Sequence, residues 1–481
     1  MTDILSIGKS GLGASKKSME IAGHNVANAN TEGYSRQRIK QTTGIPIIKD
    51  GMVAGSGVRV VGVERVDAQH LEKRLNTAIS DNEFNHERLG QMEQVEIIFN
   101  ETEMDGLNKI VNKFFNSFRE LANQPENETI RSVVRDSARL IVKDFNRIRT
   151  TLDDQARNID KRIEQEVVNI NQIANNLANL NKKIATTEAM GGENADLRDQ
   201  RDLAVRSLSE YFDVTTYLDD RNRFVVSAEG VGTIVSATEV QELAVRGQST
   251  EDSSNKMSGA VEVYFANRPT GSISEKFSNG KLTAMLKVRN NDIRTLQTEV
   301  DQIAYTLSKS VNALHSQGYI NRPGVTVGPE NAQDFTNINF FADLNSSENA
   351  ANEIALSSAV EDDLANIATA LAPNSPGDNR VALAISKLEN AKLMNNGTAT
   401  IEEQYLKSIG HVGMQTGKAR VDSEQSEGLL AQSRALKERV TGVSLDEEAA
   451  NMIKFQHAYE ASAKVIKAAD EMFQVVLGIK K

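Results

Sequence analysis

The sequence predicts a mainly α-helical protein with a small inserted β domain: an elongated helical rod whose N- and C-terminal helices pair as an antiparallel coiled coil. Three observations lead there. Large residues recur every seventh position at both ends, at Leu5, Leu12, Met19 and Val26 and at Met452, Tyr459, Ile466 and Phe473. Seven prolines occur in 481 residues, none between Pro125 and Pro269 or after Pro376, so long helices are permitted in both stretches. Residues 214–270 change character, with β-branched runs broken by Asp-, Asn- and Gly-rich turns.

The C-terminal helix has the clearest signals. Phe455, Ser462, Ala469 and Val476 follow the large positions by three residues, which makes the a/d pattern of a coiled-coil seam. Its start reads as a capping box: Ser444 satisfies an orphan amide, Glu447 reaches back, and the acids at 446–448 suit the positive end of the dipole. In the N-terminal helix the positions three after each large residue, Gly8, Ser15, Ala22 and Ala29, are all small. Both helices adjoin the body at their inner ends, near Asn30 and Val443, so a side-by-side pair must be antiparallel, with knobs of one beside small residues of the other. The expected assembly seam is Leu5, Leu12, Met19, Val26, Met452, Phe455, Tyr459, Ile466, Phe473 and Val476. Glycines at 8, 11, 13 and 23 cost about 1 kcal/mol each in helix propensity. The pair is therefore expected to be mobile in the monomer and ordered in an assembly.

Between the ends, Asn30-Thr31-Glu32-Gly33 reads as a helix stop, and strand-like runs at 35–48 and 57–66 read as a β-hairpin joined through Asp50-Gly51 and Gly55-Ser56-Gly57. Helical periodicity resumes near Gln69 and runs through Phe114, Phe115, Phe118 and Leu121. One long helix is expected over 129–190, with Ile163, Ile170, Leu177 and Ile184 at sevenfold spacing; some 60 residues reach roughly 90 Å. A shorter helix, 196–212, follows. Strands are expected at 214–218, 224–227 and 261–265, with a polar loop at 247–258. Helix returns at 281–315, with Val300, Leu307 and Leu314 on one stripe, then loops over 318–328 and further helices at 361–372, 378–395 and 400–440. The expected domains are a terminal helix pair, 1–30 with 442–481; a helical body, 31–213 with 281–441, carrying the hairpin at 35–66; and a β insert, 214–280.

Charge and composition narrow the function. A net charge of −11 argues against nucleic acid, although residues 1–49 hold seven Lys and Arg against three acids. That basic end reads as a solvated helix face. With no cysteine there is no disulfide, thiolate metal site or cysteine nucleophile. No stretch is long and apolar enough to span a bilayer and none reads as a cleaved signal peptide, which fits a cytosolic protein or one exported by a dedicated machine. The six histidines are scattered, without metal-ligand spacing. Asp196, Asp199 and Asp202, interleaved with Arg198 and Arg201, read as salt-bridging on a helix face and not as a calcium loop. No nucleophile elbow or phosphate loop is present, so no catalytic, cofactor-binding or metal-binding residue is expected. The residues themselves end at an elongated, export-compatible assembly subunit.

Two motifs go further. Asn25-Val26-Ala27-Asn28-Ala29-Asn30-Thr31 with Gly33-Tyr34, and Leu445-Asp446-Glu447-Glu448-Ala449-Ala450-Asn451-Met452 with Phe455-Gln456-His457-Ala458-Tyr459 and Ala463-Lys464-Val465-Ile466, resemble the terminal signatures of bacterial flagellar axial proteins. Ser35-Arg36-Gln37, Asp199-Gln200-Arg201-Asp202, Gly280-Lys281-Leu282-Thr283-Ala284, Val311-Asn312 with His315 and Gly318, and Gly377-Asp378-Asn379 are similar to the hook–filament junction members of that family. Glu32 stands where the family often has proline, and His24 and His457 where asparagine and glutamine are common. The resemblance implies a structural subunit of the flagellum, secreted through the flagellar type III machine and forming a ring of identical copies that joins hook to filament and is needed for filament assembly. It implies as partners the hook protein, the next hook-associated junction protein and a cytosolic export chaperone on the C-terminal region. It places the terminal helices on the inner tube, the rod outside them and the β insert outermost. Other readings are an enzyme or adhesin displayed on the flagellum, built on carboxylates of the insert, and a cytosolic coiled-coil adaptor, suggested by the absent signal peptide.

Overall fold

The computed structural model describes residues 2–49, 52–99, 106–246, 261–268, 271–320, 326–328 and 332–479. The Asp50-Gly51 turn, the polar loop at 247–258 and part of the 318–328 loop lie outside them. Helix α1 (Thr2–Ala27) leads into a hairpin built in two segments: β1 (Gln37–Thr43) pairs antiparallel with β4 (Val58–Arg65), and beyond them β2 (Ile47–Lys49) pairs with β3 (Met52–Ala54). The body follows as α2 (Gln69–Phe99), α3 (Leu107–Asn123), α4 (Glu128–Ala189) and α5 (Ala195–Ser209).

Helix α4 spans 62 residues and is the axis of the body. Asn127 caps it, its side-chain oxygen accepting from the Thr129 amide at 3.0 Å. Val134, Ile141 and Ile148, then Ile163, Ile170 and Leu177, are fully buried at sevenfold spacing along one stripe. Across that stripe Phe114 and Phe118 meet Phe340 and Phe341 in edge-on and tilted contacts, with Phe340 and Phe341 centroids 5.0 Å apart.

The β region contains β5 (Val214–Leu218), β6 (Phe224–Ala228), β7 (Gly232–Ser236) and β8 (Glu239–Val240), an antiparallel meander, and then β9 (Leu243–Arg246) paired with β10 (Glu262–Phe265). Val226, Ile234, Val235, Leu243 and Val263 belong to the same continuous core as Ile163 to Leu180 of α4, so the strands are packed onto the rod. Two asparagines of α4 fix them. Asn171 both donates to the Leu243 carbonyl at 2.8 Å and accepts from its amide at 2.9 Å, as a neighbouring strand would, while Asn181 donates to Ala237 at 2.8 Å.

The return half holds α6 (Gly280–Lys287), a π-helical turn at Val288–Ile293, α7 (Arg294–His315), the short helices α8 (Ala350–Glu353), α9 (Ser358–Asp362) and α10 (Arg380–Ser386), then α11 (Ile401–Thr441) and α12 (Leu445–Ile479). Gly280 sits at φ +74°, and a Cβ there would stand 2.2 Å from the Tyr211 carbonyl carbon, so the motif glycine is required where α6 crosses the end of α5. The helix expected over 361–372 is not formed. Arg131 draws the carbonyls of Leu364 (3.2 Å) and Ile367 (2.6 Å) to its guanidinium, and Tyr319 pairs with Ala370, which leaves a 3-10 turn and extended chain. In the stretch 378–395 only α10 and a following 3-10 turn are helical.

His315 closes α7 against that segment. It is fully buried; Nδ1–H donates to the Ile338 carbonyl (2.7 Å) and Nε2 accepts from the Ala368 amide (2.9 Å), so the ring is neutral. Burial pushes its pKa down to about 4. Above pH 6.5 neither folded nor unfolded chain is charged here. Below it the unfolded chain takes a proton the folded chain refuses, so stability falls as pH drops from about 6.5 towards 4, by an amount on the order of 3 kcal/mol. Denaturant melts of His315→Asn across this range should show a shallower pH slope than the parent.

Candidate assembly surface

The terminal helices pair antiparallel: Gly8 lies against Ile466 and Asn25 against Glu448. The face of α1 turned inward is its small one, with Gly8, Ser15, Ser18, Ala22 and Asn25 buried, and Ala469 and Glu448 are buried opposite. A Cβ on Gly8 would stand 2.8 Å from Ile466 Cγ1, so the Ile466 side chain packs directly on the α1 backbone there. Gly8 is therefore a packing requirement and not only a propensity cost. Gly13 has nothing within 4 Å of its missing Cβ. Gly13→Ala should thus stabilise α1 by about 1 kcal/mol, while Gly8→Ala should lose that gain by displacing Ile466; amide exchange along α1 reads the difference.

The expected seam divides between two environments. Leu12, Met19, Phe455, Tyr459 and Ile466 are half-buried in the pair, whereas Leu5, Val26, Met452, Phe473 and Val476 are exposed, Phe473 at 52 %. Ile4, Ile7, Ile453, Met472, Val475 and Leu477 are exposed beside them. The small stripe closes the pair and much of the large stripe is left facing outward.

Where the pair meets the body, the two terminal motifs fold into one polar latch. Asn25 uses both ends of its amide: Oδ1 accepts from Tyr34 Oη (2.7 Å) and the Gln37 amide (3.0 Å), and Nδ2 donates to the Gln37 carbonyl (3.0 Å) and Glu448 Oε2 (3.2 Å). Arg36 forks between Glu447 (2.6 Å) and the buried Glu448 (2.5 Å), donates its amide to Thr441 and accepts from Val66. At the cap, Ser444 Oγ accepts from the Glu447 amide at 3.4 Å, but the Glu447 carboxylate takes Arg36 instead of returning to the serine.

The same hub reaches α5. Asp199 accepts from the Ser35 amide (2.9 Å), Asp196 from Gln37 Nε2 (2.7 Å), and Arg65 of β4 binds Asp199 (3.1 Å) and Asp202 (2.6 Å). Asp199 and Asp202 do salt-bridge, but to Arg65 of the hairpin; Asp196 takes the Gln37 side-chain amide instead, Arg198 pairs with Glu188 and Glu193, and Arg201 comes no closer than 3.9 Å to Asp202. Burial raises the pKa of Asp199 and Asp202, against the pull of Arg65. Burial, with Asp196, Asp199 and Glu448 nearby, also holds the Tyr34 phenol well above its usual range. Sequence reasoning gave Glu448 only a part in the helix dipole and gave Asn25 and Arg36 only a place in motifs, with no contact between them. The available signal was the second small stripe, Gly11, Ser18 and Asn25, whose last member is polar where a seam should be apolar.

Among the described residues no group of three His, Asp or Glu side chains could hold a metal ion, and no helix is long and apolar enough to cross a membrane.

Residues 92–327 match the family described as flagellar hook-associated protein FlgK helical domain, and residues 439–479 match the C-terminal family of the flagellar basal body rod FlgEFG proteins. Flagellar hook-associated protein 1 of Bacillus subtilis is 28 % identical over 505 residues, covering 98 % of this chain and 97 % of the relative. The Salmonella typhimurium protein of the same name is 23 % identical over 567 residues, covering 100 % of both. The solved flagellar hook junction protein FlgK from Burkholderia pseudomallei shares the fold, with a TM-score of 0.64 at 14 % identity over 77 % of this chain and 100 % of that one.

Proposed function

We infer from this chain's place in the flagellar hook-associated protein 1 family, to which it belongs, that it is a structural subunit of the bacterial flagellum at the junction of hook and filament. The observation that supports the role in this molecule is the two-sided terminal pair, closed by small residues within the chain and presenting Leu5, Val26, Met452, Phe473 and Val476 outward. An exposed apolar stripe of that length marks an interaction surface. Its occupants are the terminal helices of neighbouring copies in a ring, with hook protein on one side and the next junction protein on the other. Before assembly a cytosolic chaperone covers the C-terminal region, and the chain leaves through the flagellar type III machine. The terminal pair forms an inner domain, 31–213 with 281–441 the body, and 214–280 an outward insert. The role is structural and not catalytic.

The direct test is electron microscopy of cells lacking the protein. Hooks without filaments, with filament protein shed into the medium, are expected; normal filaments would exclude the role. Amide exchange on the purified monomer tests the division into inner pair and body. Residues 2–27 and 445–479 share little core with the rod, so their amides should exchange much faster than those of α4. Equal protection in a proven monomer would contradict it.

A further inference from the structure

Five arginines are buried in the described chain: Arg36, Arg131, Arg149, Arg201 and Arg289. Four have close partners, Arg36 in Glu447 and Glu448, Arg131 in backbone carbonyls, Arg149 in Asp153 and Asp301, and Arg289 in Asp160, although Arg36 Nε and Arg149 Nη1 make no hydrogen bond of their own. Arg201 does not. It is 9 % exposed, and among the described residues its guanidinium has no hydrogen-bond acceptor: Nε is orphaned, and the nearest carboxylate oxygen, on Asp202, is 3.9 Å away. Asp202 is already held by Arg65 at 2.6 Å. The Phe224 ring lies 3.7 Å beneath the guanidinium and holds it flat, but supplies no acceptor. Burial lowers the Arg201 pKa to about 10, which leaves it charged at neutral pH. A buried charge without an acceptor is costly, and such a group in a native fold calls for a partner.

Arg201 lines a cavity of about 730 Å³ between α2, α4, α5 and the first strands of the β region, a size common for small-molecule sites. The carboxylates around it are engaged: Glu188 by Arg198 (2.8 Å), Glu72 by Arg206 (2.6 Å) and Lys437 (2.7 Å), and Asp67 and Asp202 by Arg65. Lys73 of α2, which also lines the cavity, makes no ion pair among the described residues. The cavity thus has two cations to spare and no free carboxylate.

We propose that this cavity is an anion-binding site in which the planar fork of Arg201, stacked on Phe224, takes a carboxylate or phosphate group, with Lys73 adding charge from the rim. A guanidinium held flat by an aromatic ring is pre-organised for two parallel N–H···O bonds to such a group. The anion is either a free solute or an acidic side chain of a second copy; the chemistry is shared.

The test uses the full-length monomer at low ionic strength, titrated with inorganic phosphate and with citrate by calorimetry. Both should bind, and Arg201→Met should weaken binding by about tenfold or more, the loss of roughly 1.4 kcal/mol. Arg201→Lys should recover only part, because the fork is lost. Lys73→Glu, at an exposed position where folding is not at stake, should weaken binding severalfold, and Lys418→Glu, at an exposed position of α11 that does not line the cavity, should not. Absence of binding to the parent, or equal weakening by Lys73→Glu and Lys418→Glu, would overturn the proposal. Sedimentation of the parent separates the sources: saturating citrate lowers self-association if a second copy supplies the acid, and leaves it unchanged if a solute does.

Discussion

Arg36→Ala is expected to release the terminal helices from the body while the body stays folded. Among the described residues Arg36 is the one cation that meets both Glu447 and Glu448, and Glu448 is only 3 % exposed. Without it the Glu448 carboxylate is left buried with the Asn25 amide as its remaining partner. Removing one member of such a buried pair costs about 3–5 kcal/mol. That exceeds what a pair closed by glycine, serine and alanine can spare, because small side chains bury little apolar area. The loss should fall on α1 and α12 alone: their amides should lose protection, and cells should carry hooks with few attached filaments. The main melting transition, set by the core around α4, should shift little. Arg36→Lys should rescue poorly, since one ammonium cannot fork between two carboxylates. Glu448→Gln should cost less than Arg36→Ala, because Arg36 keeps Glu447 and no buried carboxylate is left unpaired. A single melting transition shifted as a whole by Arg36→Ala would mean that pair and body unfold as one unit.

What the sequence revealed, and what it hid, follows from the range of the interactions involved. Helix α4 was legible because a proline-free run with isoleucine and leucine at seven-residue spacing can bury its stripe in only one way. The terminal helices were legible as helices and as an antiparallel pair, but not in which face each turns inward. Small and large stripes share one period, so spacing alone cannot say which faces the sister helix and which faces a neighbour. Strands β7 to β9 are two to five residues long, too short to show alternation, and Asn171 fixes β9 from a distant helix. The segment 361–372 reads as helical; Arg131, more than two hundred residues earlier, takes its carbonyls. The latch was hidden for the same reason. Asn25, Arg36 and Glu448 are ordinary polar residues until the fold brings two chain ends together, and the partner of Asp199 and Asp202 is Arg65, over 130 residues away.

Phe473→Asp is expected to abolish filament attachment without disturbing the monomer. In the single chain Phe473 is half exposed on α12, with Met472, Val475, Val476 and Leu477 exposed around it. An aspartate there meets water and costs the helix only a few tenths of a kcal/mol in propensity. In a ring whose copies cover that stripe, the same carboxylate is buried without a partner, at several kcal/mol per subunit. Two neighbours on the helix separate the causes. Lys467 is exposed and stands near Glu471, so Lys467→Asp reverses a charge of the same helix without entering the stripe and should leave filaments attached. Ile466 rests on Gly8 inside the pair, so Ile466→Asp should already raise amide exchange in α1 and α12 of the monomer, which Phe473→Asp should not. Secretion of all three must be intact for the reading to hold, and is checked in the culture medium. Attached filaments on Phe473→Asp cells would show that the exposed stripe is not covered in the flagellum, and equal loss from Lys467→Asp would place the contact on the charged face of α12 instead.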